Sequence, residues 1–145
     1  MKPITINVDF DGTLTSHAFP LIGKSIGAEK VLKELTDNGH KLILFTMRSD
    51  RKELKETNDE TIQNVTGQFL TDAVNWFKEN NIPLFGIQKN PHQVNWTTSP
   101  KSYAELMIDD SALGCPLKYD PTISPRKFAD WVEIRKMLVE MKLIK

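Results

Sequence analysis

The sequence predicts a three-layer α/β fold, with a mostly parallel central sheet between layers of helices, from three observations. Short apolar runs of strand character alternate with amphipathic helical stretches along most of the chain, as βαβ units require. The run Lys41-Leu42-Ile43-Leu44-Phe45-Thr46 has an unbroken apolar centre, which suits a strand covered on both faces. Acidic or hydroxyl residues stand where such runs end, at the edge where open α/β sheets collect their ligands.

Taken in order, Ile4, Ile6 and Val8 make the first strand, bounded by Pro3 before it and Gly12 after it. It runs into Asp9-Phe10-Asp11-Gly12-Thr13, and two acids so close repel unless a cation or a shared proton intervenes. A mixed loop at 16–25 leads to a helix with Ala28, Val31, Leu32 and Leu35 on one face, stopped by Asn38-Gly39. The second strand follows at once. Residues 47–67 are charged and turn-like, which fits a solvated face, with room for a short helix or for a flap or insertion at about 50–67. From Gln68 the pattern is helical again, with Phe69, Leu70, Ala73, Val74 and Phe77 inward and Asn80-Asn81 at the end.

Pro83 introduces a third strand, Leu84-Phe85-Gly86-Ile87, and then a polar loop through Lys89 and His92 to Pro100. Leu106-Met107-Ile108-Asp109-Asp110 reads as a fourth strand that, like the first, closes on carboxylates. Cys115-Pro116-Leu117-Lys118 is expected as a short edge strand, and Trp131, Ile134, Leu138 and Met141 recur at the spacing of a last helix.

At 145 residues the chain is most economically one domain, 1–145, with a core that needs no disulfide. Lys plus Arg equals Asp plus Glu at 19 each, so net charge offers no argument for nucleic acid or an anionic membrane. The single Cys115 makes no internal disulfide, and neither a signal peptide nor a membrane-spanning run is legible. A soluble cytoplasmic protein is the expectation. His17, His40 and His92 lack ligand spacing and a Cys partner, so zinc is not indicated.

Right-handed crossovers place every strand's carboxyl end on one edge. That edge gathers Asp9 and Asp11, Thr46, the 88–92 loop, and Asp109 and Asp110. Converging carboxylates form an all-oxygen site for a hard cation, and Mg²⁺, which keeps waters for a phosphate, suits it best. One aspartate can then attack phosphorus while a second serves as acid and base. Thr46 and Lys101 are candidates to hold the non-bridging oxygens, and Arg48 is placed for a bidentate contact to a phosphate or a carboxylate, or for a salt bridge within the protein.

These residues resemble the haloacid dehalogenase superfamily. Val8 to Thr15 looks like its first motif, Leu44-Phe45-Thr46 its second, Lys101 its third and Ile108-Asp109-Asp110 its fourth, all in family order. The segments 99–117 and 128–131 also look like a small capless branch. The resemblance implies a Rossmann-like sheet, Mg²⁺ dependence and phosphoryl transfer. By position, Asp9 would be nucleophile and metal ligand, and Asp11 the general acid/base that offers its backbone carbonyl to the metal. Asp109 would ligate the metal with Asp110 beside it, and Thr46 and Lys101 would hold the phosphoryl group, Lys101 also steadying Asp9; Gly12 and Arg48 are further phosphate-binding candidates.

About three dozen residues separate Asp11 from Thr46, and one helix fills most of them, so there is no room there for a large cap. Capless members tend to act on macromolecular substrates or to borrow a lid from a neighbouring subunit. The expected activity is therefore a Mg²⁺-dependent phosphomonoester phosphatase acting on a phosphorylated small molecule or macromolecule end, with a homo-oligomer among the expectations. A nucleotide or polynucleotide-end phosphatase is the near alternative. A receiver-type phospho-accepting domain uses similar groups, but it places a lone phospho-accepting Asp after a later strand, not an Asp-x-Asp-Gly-Thr pair at the start. A silent binding module has no support from these residues.

Overall fold

The protein, described by a computed structural model over residues 2–51 and 66–145, is an α/β structure with a four-stranded parallel sheet, helices against it and no large cap. In chain order its elements are β1 (Thr5–Val8), α1 (Ala28–Asp37), β2 (Lys41–Leu44), β3 (Asp50–Arg51), β4 (Gly67–Gln68), α2 (Phe69–Glu79), β5 (Gly86–Ile87), β6 (Leu106–Ile108), β7 (Leu117–Lys118), β8 (Phe128–Ala129) and α3 (Trp131–Glu140). The sheet order is β5-β2-β1-β6, which makes the fold Rossmann-like. Val8 pairs with both Leu44 and Ile108, so β2, β1 and β6 end level with one another.

Alternation along β1 divides its two faces. Ile6 and Val8, with Phe10 beyond, join one apolar cluster with Leu32 and Leu35 of α1, Ala73, Trp76 and Phe77 of α2, and Trp131, Ile134 and Leu138 of α3. Each Leu, Ile, Val or Phe side chain among them, fully buried, contributes about 1.5–3 kcal/mol. Trp76, absent from the expected face of α2, meets Phe10 edge-on at 5.6 Å. The other face carries Asn7, 1% exposed, whose amide donates to Ser102 O at 3.0 Å and accepts from Ser102 Oγ at 2.9 Å. Cover on that face comes from the 88–104 segment, whose one helical piece is a 3-10 turn at Gln93–Asn95.

α1 buries the expected Ala28, Val31, Leu32 and Leu35 and ends at Asn38, with Gly39 at φ 87°. α2 lacks a side-chain cap of its own; Asp50 supplies one by accepting from Thr71 N and Thr71 Oγ1 at 2.9 and 2.6 Å. Met141, expected inward on α3, lies past the helix end and is 49% exposed, while Leu143 and Ile144 close the core in its place. The short strand expected near Cys115 is not an edge of the central sheet: β7 pairs antiparallel with β8 in a separate ribbon.

The flap or insertion expected at about 50–67 lies mostly outside the described residues. Its described ends pair, Asp50 with Gln68 and Arg51 with Gly67, so the chain leaves and re-enters the fold at one point. Among the described residues no helix is long and apolar enough to cross a membrane.

Candidate functional site

The chain runs from β1 through β2 to β5 and then returns to place β6 on the far side of β1. Strand order thus reverses between β1 and β6, the crevice where open α/β sheets bind ligands. Asp9 and Asp109 follow directly from those two strands, and Asp9 N donates to Ile108 O at 2.9 Å. Asp9, Asp109 and Asp110 each offer a carboxylate oxygen, and these three atoms lie within 4.8 Å of one another. An all-oxygen set of this kind fits a hard divalent cation.

Local structure holds the acids in this crowd. Phe10 O accepts from Thr13 N and Leu14 N at 3.1 and 2.8 Å, closing a tight turn after Asp9. That turn is buttressed from the C-terminal part of the chain, since Trp131 Nε1 donates to Thr13 O at 2.6 Å and Ala129 N to Gly12 O at 2.9 Å. Thr13 Oγ1 donates to Asp9 Oδ2 at 2.6 Å, stands 3.1 Å from Asp110 Oδ1 and accepts from Asp110 N at 2.9 Å. Asp109 Oδ1 accepts from Ser111 N and Oγ at 2.9 and 2.7 Å.

Burial pushes the Asp9 carboxyl up from 3.8 to about 7; the Asp109 charge and a hydrogen bond with Asp110 add to the rise, and the Thr13 hydroxyl offsets part of it. Cys115 lies in the same field: burial first, then Asp110, Asp109 and Asp9, raise its thiol above the ordinary range, which makes it a poor nucleophile.

Asp11 stands apart from the three. Arg48 Nε and NH2 donate to its Oδ2 and Oδ1 at 2.8 and 2.7 Å, a bidentate clamp on a guanidinium whose side chain is 1% exposed. The remaining Arg48 donors reach Pro20 O, Phe69 O and Leu21 O, at 3.4, 3.2 and 2.8 Å. Phe10 and Phe19 flank the guanidinium at 5.1 and 5.2 Å. Arg48, expected to make a bidentate contact to a phosphate or a carboxylate, makes it to the Asp11 carboxylate, and its other donors are engaged by backbone carbonyls.

Thr46 Oγ1 accepts from Arg48 N at 3.1 Å, which leaves its own proton for another acceptor. The loop bearing both is held by Gln88, which accepts from Thr46 N at 2.8 Å and donates to Thr46 O and Arg48 O at 2.6 and 3.2 Å. Lys101 is exposed, and no hydrogen bond or ion pair joins its ammonium to the described residues. Its backbone is placed by Gln93, 1% exposed, which donates to Ser99 O and Lys101 O at 3.1 and 3.0 Å.

His92 does not reach the functional edge. Gln88 turns the chain at φ 64°, and the return passes so close beneath β5 that a Cβ on Gly86 would lie 2.4 Å from Lys89 O. His92 ends against Phe85, 5.2 Å between rings, beside Lys41 at the amino end of β2. Lys89 is exposed along that return. His40 is structural, with Nδ1 accepting from Ile4 N at 3.1 Å and Nε2 2.8 Å from Leu143 O. Gln88 and Gln93 were not legible as site supports, because an amide in a polar loop carries no signal until the backbone path is known.

The fold and this edge define a Rossmann-like α/β protein with a carboxylate cluster suited to a cation at its switch point. No family model and no curated protein matches the chain. Among solved structures, that of a conserved protein from Bacteroides thetaiotaomicron is similar over 97% of this chain and 93% of its own, at 29% identity and a TM-score of 0.67.

Proposed function

We propose that this protein is a Mg²⁺-dependent phosphomonoester phosphatase of the haloacid dehalogenase type, acting through an aspartyl-phosphate on Asp9. The observation that carries the reading is the meeting of Asp9, Asp109 and Asp110 within 4.8 Å at the switch point, with a further acid, Asp11, held two residues on by Arg48. When bound, the ion neutralises charge on the phosphoryl oxygens. Asp9 would supply the attacking oxygen, forming an O–P bond as the ester oxygen departs. Asp11 would give that oxygen its proton, then take one from the water that attacks the phosphoaspartate and frees Asp9. To do so its carboxyl turns off Arg48. Thr46 would donate to a phosphoryl oxygen, and Lys101, exposed and without a described partner, is free to approach the dianion.

The test is turnover of an aryl phosphate with and without Mg²⁺, for wild type, Asp9→Asn and Asp11→Asn. Mg²⁺-dependent turnover that both substitutions suppress is expected. Undiminished turnover by Asp9→Asn sinks the mechanism. A receiver-type domain would instead accumulate stable phosphoaspartate from a small phosphodonor and turn over little.

A further inference from the structure

We infer that His17 is a positioning residue for the cation site, fixing the Asp110 carboxylate so that its oxygen faces Asp9 and Asp109. This rests on reading those acids as a cation site, as proposed above. His17 Nε2 lies 3.1 Å from Asp110 Oδ2, and both side chains are largely buried, at 15% and 18% exposure. The contact is needed because Thr13 cannot hold both acids. Its hydroxyl has one proton, and the 2.6 Å bond to Asp9 outcompetes the 3.1 Å approach to Asp110 Oδ1. Among the described residues, His17 is then the side-chain donor left for Asp110.

Two further features are built around this contact. Gly12, at φ 79°, leaves space that the imidazole uses: a Cβ there would lie 2.1 Å from His17 Nε2 and 2.7 Å from Asp110 Oδ2. Any side chain at position 12 would expel the ring. The loop that carries His17 is also pinched shut at its neck. Ser16 N donates to Lys24 O at 3.0 Å, Lys24 N donates to Ser16 Oγ at 2.8 Å, and a Cβ on Gly23 would meet Ser16 O at 1.9 Å. The ring therefore comes to Asp110 from a braced base. Hydrogen-bond partners behind ligating carboxylates set their direction, and their loss typically weakens metal affinity by about 10–100-fold.

Mn²⁺, which shares the preference for oxygen ligands and is visible by electron paramagnetic resonance, is the probe. Binding to the full chain would be measured for wild type, His17→Leu and His17→Gln, with urea unfolding of each in chelator. His17→Leu should bind Mn²⁺ about 10–100-fold more weakly, with unfolding in chelator little changed. His17→Gln, whose amide nitrogen sits near the reach of Nε2, should restore most of the affinity. Should His17→Leu not fold, His17→Asn, too short to reach Asp110, takes its place. Wild-type affinity without the donor, or equal loss in the Leu and Gln variants, overturns the inference. A wild type that binds no Mn²⁺ overturns it together with the cation site. One that binds Mn²⁺ but hydrolyses no phosphomonoester overturns the phosphatase reading alone.

Discussion

Asp9 and Asp11 are two residues apart and live in opposite surroundings, one crowded by acids and the other clamped by a guanidinium. On the proposed phosphatase reading, replacing Asp9 with Asn should lower Mg²⁺-dependent turnover by about three orders of magnitude or more, read from initial rates, since it removes the proposed nucleophile. Arg48→Met should lower stability by about 3–5 kcal/mol in urea unfolding, because it leaves Asp11 and several carbonyls without their buried partner. Asp9 also makes stability depend on pH. Its carboxyl ionises near 3.8 when unfolded and near 7 when folded, so the fold holds that proton the more tightly. The stabilisation is complete below about 3.8 and is lost as the pH rises through about 7. Melting temperature in chelator should accordingly fall across that window, and millimolar Mg²⁺ should remove most of the fall.

Elements place the site through their ends rather than their middles. α3 starts at Asp130, whose Oδ1 accepts from Val132 N and Glu133 N at 3.1 and 3.2 Å, and its first residue, Trp131, ties down Thr13. Asp130→Ala should cost about 1 kcal/mol of stability in urea unfolding, the usual value of a helix cap. Strand and helix positions were legible because apolar residues at periods of 2 and 3.6 report burial directly. The acids at strand ends were legible for a related reason: parallel register brings separate ends to one edge, as Val8 opposite Leu44 and Ile108 does here. The destinations of loop side chains were not. His92 was expected on the functional edge with the 88–92 loop, and the turn at Gln88 carries it to the other end of the sheet. His17 looked ordinary, and a neck closed by Ser16 and Lys24 brings it to Asp110.

At the scale of the molecule, a cation that binds the fold and not the unfolded chain stabilises all of it. At a hundredfold excess over the dissociation constant that amounts to about 2.7 kcal/mol, so the melting temperature should climb with Mg²⁺ concentration in wild type and stay level in Asp109→Asn. The same molecule keeps core residues and candidate site residues on alternate positions along β1 and just past its end, with Ile6, Val8 and Phe10 turned to the helices and Asn7 and Asp9 to the other side. In a library of every substitution across 6–10, position 9 would separate from the even positions by assay. Even positions would register as missing folded protein whatever the substrate. Position 9 would leave abundance intact and remove turnover, and position 7, through Ser102 and the neighbouring Lys101, would lower both. Selection could thus act on position 9 through chemistry alone, while Asn7 and the even positions also keep the protein folded.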